Sequence, residues 1–145
     1  MKEILPNENS KRFIAILNKK IETGRLMNAL GHITAGLVGG IDNSKDLYFL
    51  QYKDKNGGIH PNISHFPFII LKADNSNKIR NVRKECIARK IPFSDFTSTM
   101  TLGTSEEQQE TTSKTSEEEL DYWGIVLFGS TDELKEFTGK FSLYQ

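Results

Sequence analysis

Residues 13–40, F-I-A-I-L-N-K-K-I-E-T-G-R-L-M-N-A-L-G-H-I-T-A-G-L-V-G-G, decide the fold of this 145-residue chain. The apolar run within Arg12–Asn18 predicts a strand that is buried on both faces. After a short loop, Thr23-Gly24 opens a helix that we expect from about Arg25 to Val38, apolar on nearly every side. One stripe of this helix is apolar at helical spacing: Leu26, Leu30, Ile33 and Leu37.

Three polar side chains interrupt this apolar helix. Arg25, Asn28 and His32 are spaced three and then four residues apart, so they share one stripe. In an α/β sheet the loop after the first strand lies at its carboxyl end, where ligands commonly bind. An imidazole can serve there as acid, base or hydrogen-bond donor. The stripe is therefore either a ligand site, or a core histidine bonded to a backbone carbonyl together with an arginine in solvent.

The rest of the chain continues the alternation of strands and helices. This pattern predicts one α/β domain over residues 1–145 with a mostly parallel, mixed sheet. The further elements that we predict are strands at Leu47–Lys53, Phe66–Lys72, Leu120–Phe128 and Phe141–Tyr144, helices at about Asn77–Lys90 and Thr131–Thr138, and an extended piece at Phe93–Met100. In the second helix, Ile79, Val82, Cys86 and Ile87 are expected to face inward, and the basic residues, Arg80 among them, to face water.

Charge is unevenly distributed although the net charge is zero. Ser105–Asp121 holds seven acidic residues against one lysine, and Lys72–Lys90 holds seven basic residues against two acids. Thr101–Glu119 has almost nothing to bury, so it predicts an acidic, flexible insertion loop. Deletion of Ser105–Glu118 is therefore expected to leave the melting temperature nearly unchanged. The basic stretch is either a solvated helix face or a surface for phosphate groups.

Several classes of protein are disfavoured by composition. The single cysteine, Cys86, excludes an intrachain disulfide and a four-thiolate zinc site. No apolar run is long enough for a membrane span, and the first residues lack the apolar core of a signal peptide, so we expect a cytoplasmic protein. His60 and His65 have no nearby acid to complete a metal site, and no cofactor motif is present. We therefore predict neither metal nor cofactor.

A second polar cluster lies in the extended piece before the acidic loop. It consists of Asp95, Thr97, Ser98 and Thr99. Hydroxyl groups of this kind line a pocket or cap a loop, and the residues alone leave both open. In a pocket, the Asp95 carboxylate would be a partner for Arg25 or His32.

Two segments carry a family resemblance. Gly24–His32, G-R-L-M-N-A-L-G-H, resembles the glycine–lysine…glutamine…histidine helix of the type 2 peptidyl-tRNA hydrolases, and Leu120–Leu143 resembles the last strand, helix and edge strand of that superfamily. The closer resemblance is to a sister group, the "domain of unknown function 2000" family. There a glycine-led helix with Asn and His, a D-F-T-x-x-M stretch and a Y-x-G-I-x-L-x-G strand recur; here the last two are Asp95–Met100 and Tyr122–Gly129.

The resemblance implies a three-layer α/β/α sandwich around a four- to five-stranded mixed sheet, with a cleft at the start of the first helix. It places Arg25 and His32 at the lysine and histidine positions, while Ala29 replaces the glutamine and the D-A-G-x-T segment is absent. Two functions follow as expectations: a binding domain for a small anion or a protein partner, and, as the alternative, a hydrolase of peptidyl-tRNA or a related ester.

In the hydrolase, Arg25 would hold a phosphate or carboxylate, His32 would assist, and Asp95 and Thr97 would position water. Gly24, Asn28 and Thr99 would contact the ligand in either case. The zero net charge and the acidic segment favour the binding domain over a tRNA partner, and a homodimer stays open.

Overall fold

The structure is a computed structural model that describes residues 4–42 and 44–145. Its elements, in chain order, are β1 Lys11–Asn18, α1 Thr23–Gly40, β2 Phe49–Lys53, β3 Ile59–Ser64, β4 Phe68–Ala73, α2 Ser76–Arg89, β5 Phe93–Thr97, α3 Ser105–Ser113, β6 Tyr122–Ser130, α4 Thr131–Thr138 and β7 Ser142–Leu143. Short 3₁₀ turns lie at Ser44–Leu47, Ser98–Met100 and Glu117–Glu119. No helix in these two ranges is both long and apolar enough to cross a membrane.

Five strands form one mixed sheet in the order β5-β6-β1-β4-β7. The mixed α/β sheet is as predicted, but "mostly parallel" is wrong. Only β1 and β4 pair in parallel, and β6 runs antiparallel between β1 and β5. A parallel pair needs a crossover that packs on the sheet, and α3, which lies between β5 and β6, buries no residue. The chain therefore turns back beside β5 and pairs with it antiparallel.

The sheet separates two hydrophobic clusters, which gives the three layers that were expected. Side chains of β1 alternate between them: Phe13, Ala15 and Leu17 face α1, while Ile14 and Ile16 face α2 and α4. From the helices, Leu26, Ala29, Ile33 and Leu37 of α1 enter the first cluster, and Ile79, Val82 and Cys86 of α2 with Leu134 of α4 enter the second. Burial raises the pKa of the Cys86 thiol to about 12.

The two long helices depart from the predicted burial. The outer face of α1 is in solvent, with Met27 68% exposed, so this helix is buried only on its inner stripe. On α2, Ile87 is 51% exposed rather than inward, because Ile79, Val82 and Cys86 already fill the face towards the sheet. Arg80 was expected in water, yet its side chain is only 11% exposed.

The segment predicted as an acidic loop contains helix α3 and a 3₁₀ turn, so the prediction of a loop without secondary structure is wrong. Thr104 and Glu107 form a capping box that starts α3. The Thr112 and Thr99 hydroxyl oxygens lie 2.7 Å apart, and Arg80 donates to Glu117 at 2.9 Å. These contacts join the segment to the body of the protein, and deletion of 105–118 would remove them.

A hairpin of β2 and β3 follows α1 and stands apart from the main sheet. A turn at residues 54–58 connects its strands, with Asp54 N donating to Gly58 O. Strand β3 was not among the elements predicted from the sequence, and His60, Pro61 and Asn62 all lie within it. Its polar residues and Pro61 are not typical of a strand, so the sequence did not indicate one here.

Candidate functional site

A cleft of about 900 Å³ lies between the first half of α1, strand β5 and the segment 100–108. Strands β1 and β5 both run antiparallel to β6, so their carboxyl ends meet at the same edge of the sheet. The loop from β1 into α1 starts at this edge. The cleft therefore occupies the place at which open α/β sheets usually bind ligands.

The polar wall of the cleft comes from the start of α1. Glu22 caps the helix by accepting from Gly24 N at 3.2 Å. The Arg25 side chain is 66% exposed, and its Nε lies 3.9 Å from the Glu22 carboxylate. Asn28 and His32 follow on the same stripe, and all of these residues line the cleft. The spacing of Gly24, Arg25, Asn28 and His32 was enough to bring them together.

The floor of the cleft is apolar and comes from both the sheet and α1. The Phe96 and Trp123 rings pack with centroids 5.7 Å apart, and the His32 ring lies 6.2 Å from that of Phe96. Ile33 and Met100 complete this floor. A ligand in the cleft would thus meet a cation and an amide at one wall and aromatic surface below.

Asp95 also lines the cleft, but its partner is a residue that the sequence did not indicate. Its carboxylate accepts from Arg83 Nε of α2 at 3.2 Å, so neither Arg25 nor His32 is its partner. Burial raises the pKa of Asp95 above its usual value, and this effect outweighs the lowering by Arg83. Because α2 and α1 pack on opposite faces of the sheet, this carboxylate points away from His32, and Asp95 borders the cleft through the rest of the residue.

The two threonines assigned to the site lie elsewhere. Thr97 is fully buried, and its hydroxyl oxygen is 2.7 Å from that of Thr99. Thr99 in turn contacts Thr112 of α3, and neither Thr97 nor Thr99 lines the cleft. The hydroxyl row thus joins the end of β5 to α3, which corresponds to the capping interpretation of this cluster.

Sequence reasoning missed the residues that close the cleft. No site role was assigned from the sequence to Trp123, Phe96, Met100 or Gln108. Phe96 and Met100 belong to the D-F-T-x-x-M stretch, so that motif was the available signal. Trp123 lies in the cleft because of the strand order, and Gln108 because of the position of α3. Neither feature is encoded by a local sequence pattern.

The basic stretch is largely neutralised by acids within the protein. Arg80 pairs with Glu117, Arg83 with Asp95, and Arg89 with Glu85 and Glu136. Arginines engaged in this way are poor phosphate ligands, because a phosphate would have to displace a carboxylate. The geometry of α2 therefore gives little support to a large nucleic-acid partner.

The histidines outside the cleft form no metal centre. The prediction that neither histidine has an acid nearby is wrong for His60, whose Nε2 contacts the Asp54 carboxylate at 2.8 Å. His65 Nε2 contacts the carbonyl of Pro6 at 2.7 Å. Within residues 4–42 and 44–145, no group of three or more potential metal ligands comes together. The hydrogen bond from His60 lowers the pKa of Asp54, and the backbone N–H groups of Gly58 and Asn56 lower it further.

Comparison with known proteins gives a family and a fold. The model of a family described as "Protein of unknown function (DUF2000)" matches residues 11–145. No curated protein matches the chain. Among solved structures, a protein of unknown function from Agrobacterium tumefaciens strain C58 is similar with a TM-score of 0.80 and 17% identity, over 94% of this chain and 98% of that chain. At this identity the likeness concerns the fold alone.

Proposed function

This chain belongs to the DUF2000 family, and from that premise we propose that it binds a small organic anion with an apolar body in the cleft at the start of α1. The observation that carries the proposal is the cleft itself, in which Arg25, Asn28 and His32 stand above an aromatic floor. A carboxylate or phosphate group would lie beside Arg25, and the apolar part would cover Phe96 and Trp123.

The charges around the cleft support an anion of low charge. Arg25 is mostly exposed, and its nearest acid, Glu22, lies at 3.9 Å, which is long for a salt bridge. Its guanidinium therefore keeps donors for a ligand. The carboxylate of Glu22 borders the same space and would repel a polyanion. A monocarboxylate or a monoester of phosphate fits this balance best.

The single tryptophan of the chain provides a direct test, because Trp123 lies in the floor of the cleft. We would titrate the protein with linear monocarboxylates and with aryl phosphates and record Trp123 fluorescence. A ligand that covers the indole should shift or quench the emission with saturation, and it should also raise the melting temperature by linkage. Stabilisation without any change in Trp123 emission would place binding outside this cleft.

Two charge variants and one control sharpen the test. Arg25→Ala should lower the affinity about tenfold or more, since hydrogen bonds to charged groups contribute about 1.5–3 kcal/mol. Glu22→Gln should raise it, because it removes a competing negative charge. Lys84→Ala removes an exposed cation from α2 and should leave the affinity unchanged. Equal losses in Arg25→Ala and Lys84→Ala would mean that only the net charge of the protein matters, and the proposal would fail.

A second candidate is a hydrolase that cleaves an ester, as in peptidyl-tRNA. The observation in its favour is that His32 and Arg25 line one cleft. The imidazole could take a proton from a water that attacks the ester, while the guanidinium holds a phosphate or carboxylate of the substrate. Hydrolysis of peptidyl-tRNA that disappears in both His32→Ala and Arg25→Ala would support it. Absence of hydrolysis by the unmodified protein, or activity unchanged in both variants, would reject it.

A further inference from the structure

The β2–β3 hairpin exposes four large apolar or aromatic side chains to solvent. Phe49, Tyr52, Ile59 and Ile63 have exposed fractions of 39%, 52%, 51% and 49%. A hairpin of two strands is marginally stable by itself in water, and a third strand or a covered face is what normally stabilises it. In the described part of the chain, no strand pairs with the free edge of either β2 or β3.

The two free edges of the hairpin differ in their ability to accept another strand. On β3, Pro61 lacks an N–H, Asn62 has a φ of 60°, and the register shifts opposite Gln51. Proline and bulges of this kind are the features by which proteins block edge pairing. The edge of β2 has neither, since Phe49–Lys53 contains no proline and no left-handed residue.

The hydrogen-bond pattern of the hairpin defines which groups of β2 are free. Asp54 N donates to Gly58 O, and Tyr48 O accepts from His65 N, so positions 48 and 54 point towards β3. Main-chain groups alternate along a strand. The N–H and C=O groups of Phe49, Gln51 and Lys53 therefore point to the open edge.

From this arrangement we propose that β2 pairs antiparallel with β2 of a second copy of the chain, with Gln51 on the twofold axis. In this register Gln51 faces Gln51 and Phe49 faces Lys53 of the other copy, so all the free main-chain groups of the edge find partners. Two copies related by a twofold axis contribute the same strand to the contact, and the axis makes these two strands antiparallel. The result is a four-stranded sheet in the order β3-β2-β2-β3.

Side chains agree with this register. Leu50 and Tyr52 lie on one face of β2, together with Ile63, the neighbour of Leu50 on β3. In the paired strands Leu50 of each copy stands opposite Tyr52 of the other, and such aromatic–aliphatic pairs stabilise a sheet. No like charges stand directly opposite, because Lys53 meets Phe49. The chemistry of β2 is thus self-complementary.

The other sheet edges are poorer candidates for a second copy. Strand β7 has only two residues, and β5 lines the cleft beside α1. Pairing at β5 would also place another chain against Asp95 and its ion pair with Arg83. The β2 edge has no such obstacle, since all of its residues but Leu50 are exposed.

The test is the mass of the full chain in solution, measured by sedimentation equilibrium over a dilution series. We expect a dimer that dissociates on dilution. Gln51→Pro removes the N–H on the axis but no bond to β3, and it should give a folded monomer with unchanged far-UV circular dichroism. Gln51→Ala keeps the N–H and should remain dimeric. A monomer at every concentration, or a dimer that persists in Gln51→Pro, would overturn the proposal and, in the second case, assign the contact to another surface.

Cysteine cross-linking tests the register even if the proline variant fails to fold. Hydrogen-bonded antiparallel neighbours have Cα atoms about 5.5 Å apart, which a disulfide can span. Gln51→Cys should therefore form a disulfide-linked dimer under mild oxidation. Lys53→Cys is the matched control, because four residues of offset separate its copies by roughly 14 Å. Native Cys86 is buried and does not compete. Equal cross-linking at 51 and 53 would contradict the proposed register.

Discussion

Arginine side chains on the two faces of the sheet differ in their exposure and in their contacts with the protein. On the α2 face, Arg80 has an 11% exposed side chain, donates to Glu117, and also donates to the carbonyls of Glu117, Glu118 and Leu120. On the α1 face, Arg25 has a 66% exposed side chain and only a distant contact with Glu22. The first arginine is fixed by the protein, and the second is left available at the mouth of a cleft.

This difference separates a structural charge from a candidate binding charge. A buried guanidinium whose donors are satisfied stabilises the fold by joining elements, and its removal leaves partners without donors. An exposed guanidinium contributes little to stability, so its position at the cleft needs another explanation. The basic stretch of α2 belongs to the first kind, and Arg25 belongs to the second.

The largest expected effect contrasts these two arginines directly. Arg80→Met should lower the free energy of unfolding by about 3 kcal/mol, because Glu117 and three carbonyl groups lose a donor. Arg25→Met should change it by less than about 0.5 kcal/mol. Urea unfolding followed by Trp123 fluorescence measures both. If the two variants were equally stable, the contact between α2 and the acidic segment would have no energetic weight.

The double variant Arg80→Met/Glu117→Gln tests why Arg80→Met loses stability. The loss comes either from the missing ion pair or from the Glu117 carboxylate that is left without a partner. Removal of one partner leaves the other partly buried and uncompensated, whereas removal of both avoids this penalty. We therefore expect the double variant to be more stable than Arg80→Met alone. Additive losses would show that Arg80 acts mainly through its bonds to the main-chain carbonyls.

A smaller effect tests the second attachment of the acidic segment. The Thr112 hydroxyl lies 2.7 Å from that of Thr99 and donates to Gln108 O at 2.8 Å. Thr112→Val keeps the shape and removes the hydroxyl, so it should lower the free energy of unfolding by about 1 kcal/mol. Thr111→Val, on the exposed side of α3, is the matched control and should have a smaller effect. Equal losses would mean that α3 is held by helix-internal bonds alone.

The contrast between regions also explains what the sequence could predict. Strand β1, helix α1, strand β6 and helix α4 have dense apolar periodicity, and they lie within two residues of their predicted bounds at nearly every end. Helix α3 buries no side chain, so it has no apolar stripe, and the T-x-x-E capping box that begins at Thr104 is its one signal in the sequence. The antiparallel placement of β6 depends on which strands become neighbours, and that is decided by long-range packing.

The candidate site divides in the same way. Arg25, Asn28 and His32 lie on one helix, so their common stripe followed from spacing alone. The Arg83 partner of Asp95 comes from a helix on the opposite face of the sheet, and Trp123 comes from another strand. Such pairs of residues from different elements are set by topology, and a single sequence has no local pattern for them.

Two carboxyl groups should give opposite pH dependences of stability. Burial raises the pKa of Asp95 above 3.8, so its contribution is present below that pH and is lost as the pH rises through the raised value. The Tyr122 hydroxyl and then Arg80 lower the pKa of Glu117 below 4.5, so its contribution is present above that pH and is lost as the pH falls.

The measurement is the free energy of unfolding against pH for the unmodified chain, Asp95→Asn and Glu117→Gln. The advantage of the unmodified chain over Asp95→Asn should shrink as the pH rises above about 4, whereas its advantage over Glu117→Gln should be constant above about pH 4.5 and shrink as the pH falls below it. Each difference involves at most one proton, so its slope stays below about 1.4 kcal/mol per pH unit. Slopes of the same sign would contradict the assigned shifts.

The smallest effect concerns the outer face of α1, which bears on whether Arg25 lies on a free surface. A Cβ added to Gly31 would meet no atom within 4 Å, and glycine within an exposed helix is unfavourable relative to alanine. Gly31→Ala should therefore raise the free energy of unfolding by about 0.5 kcal/mol and leave ligand binding unchanged, because Gly31 does not line the cleft.

Gly124→Ala is the control for this variant. The new Cβ would lie 2.8 Å from Leu17 Cδ2, so the substitution should not raise the free energy of unfolding. A loss of stability in Gly31→Ala would mean that another chain packs closely against α1 in solution, and Arg25 would then lie beside an interface rather than at an open cleft.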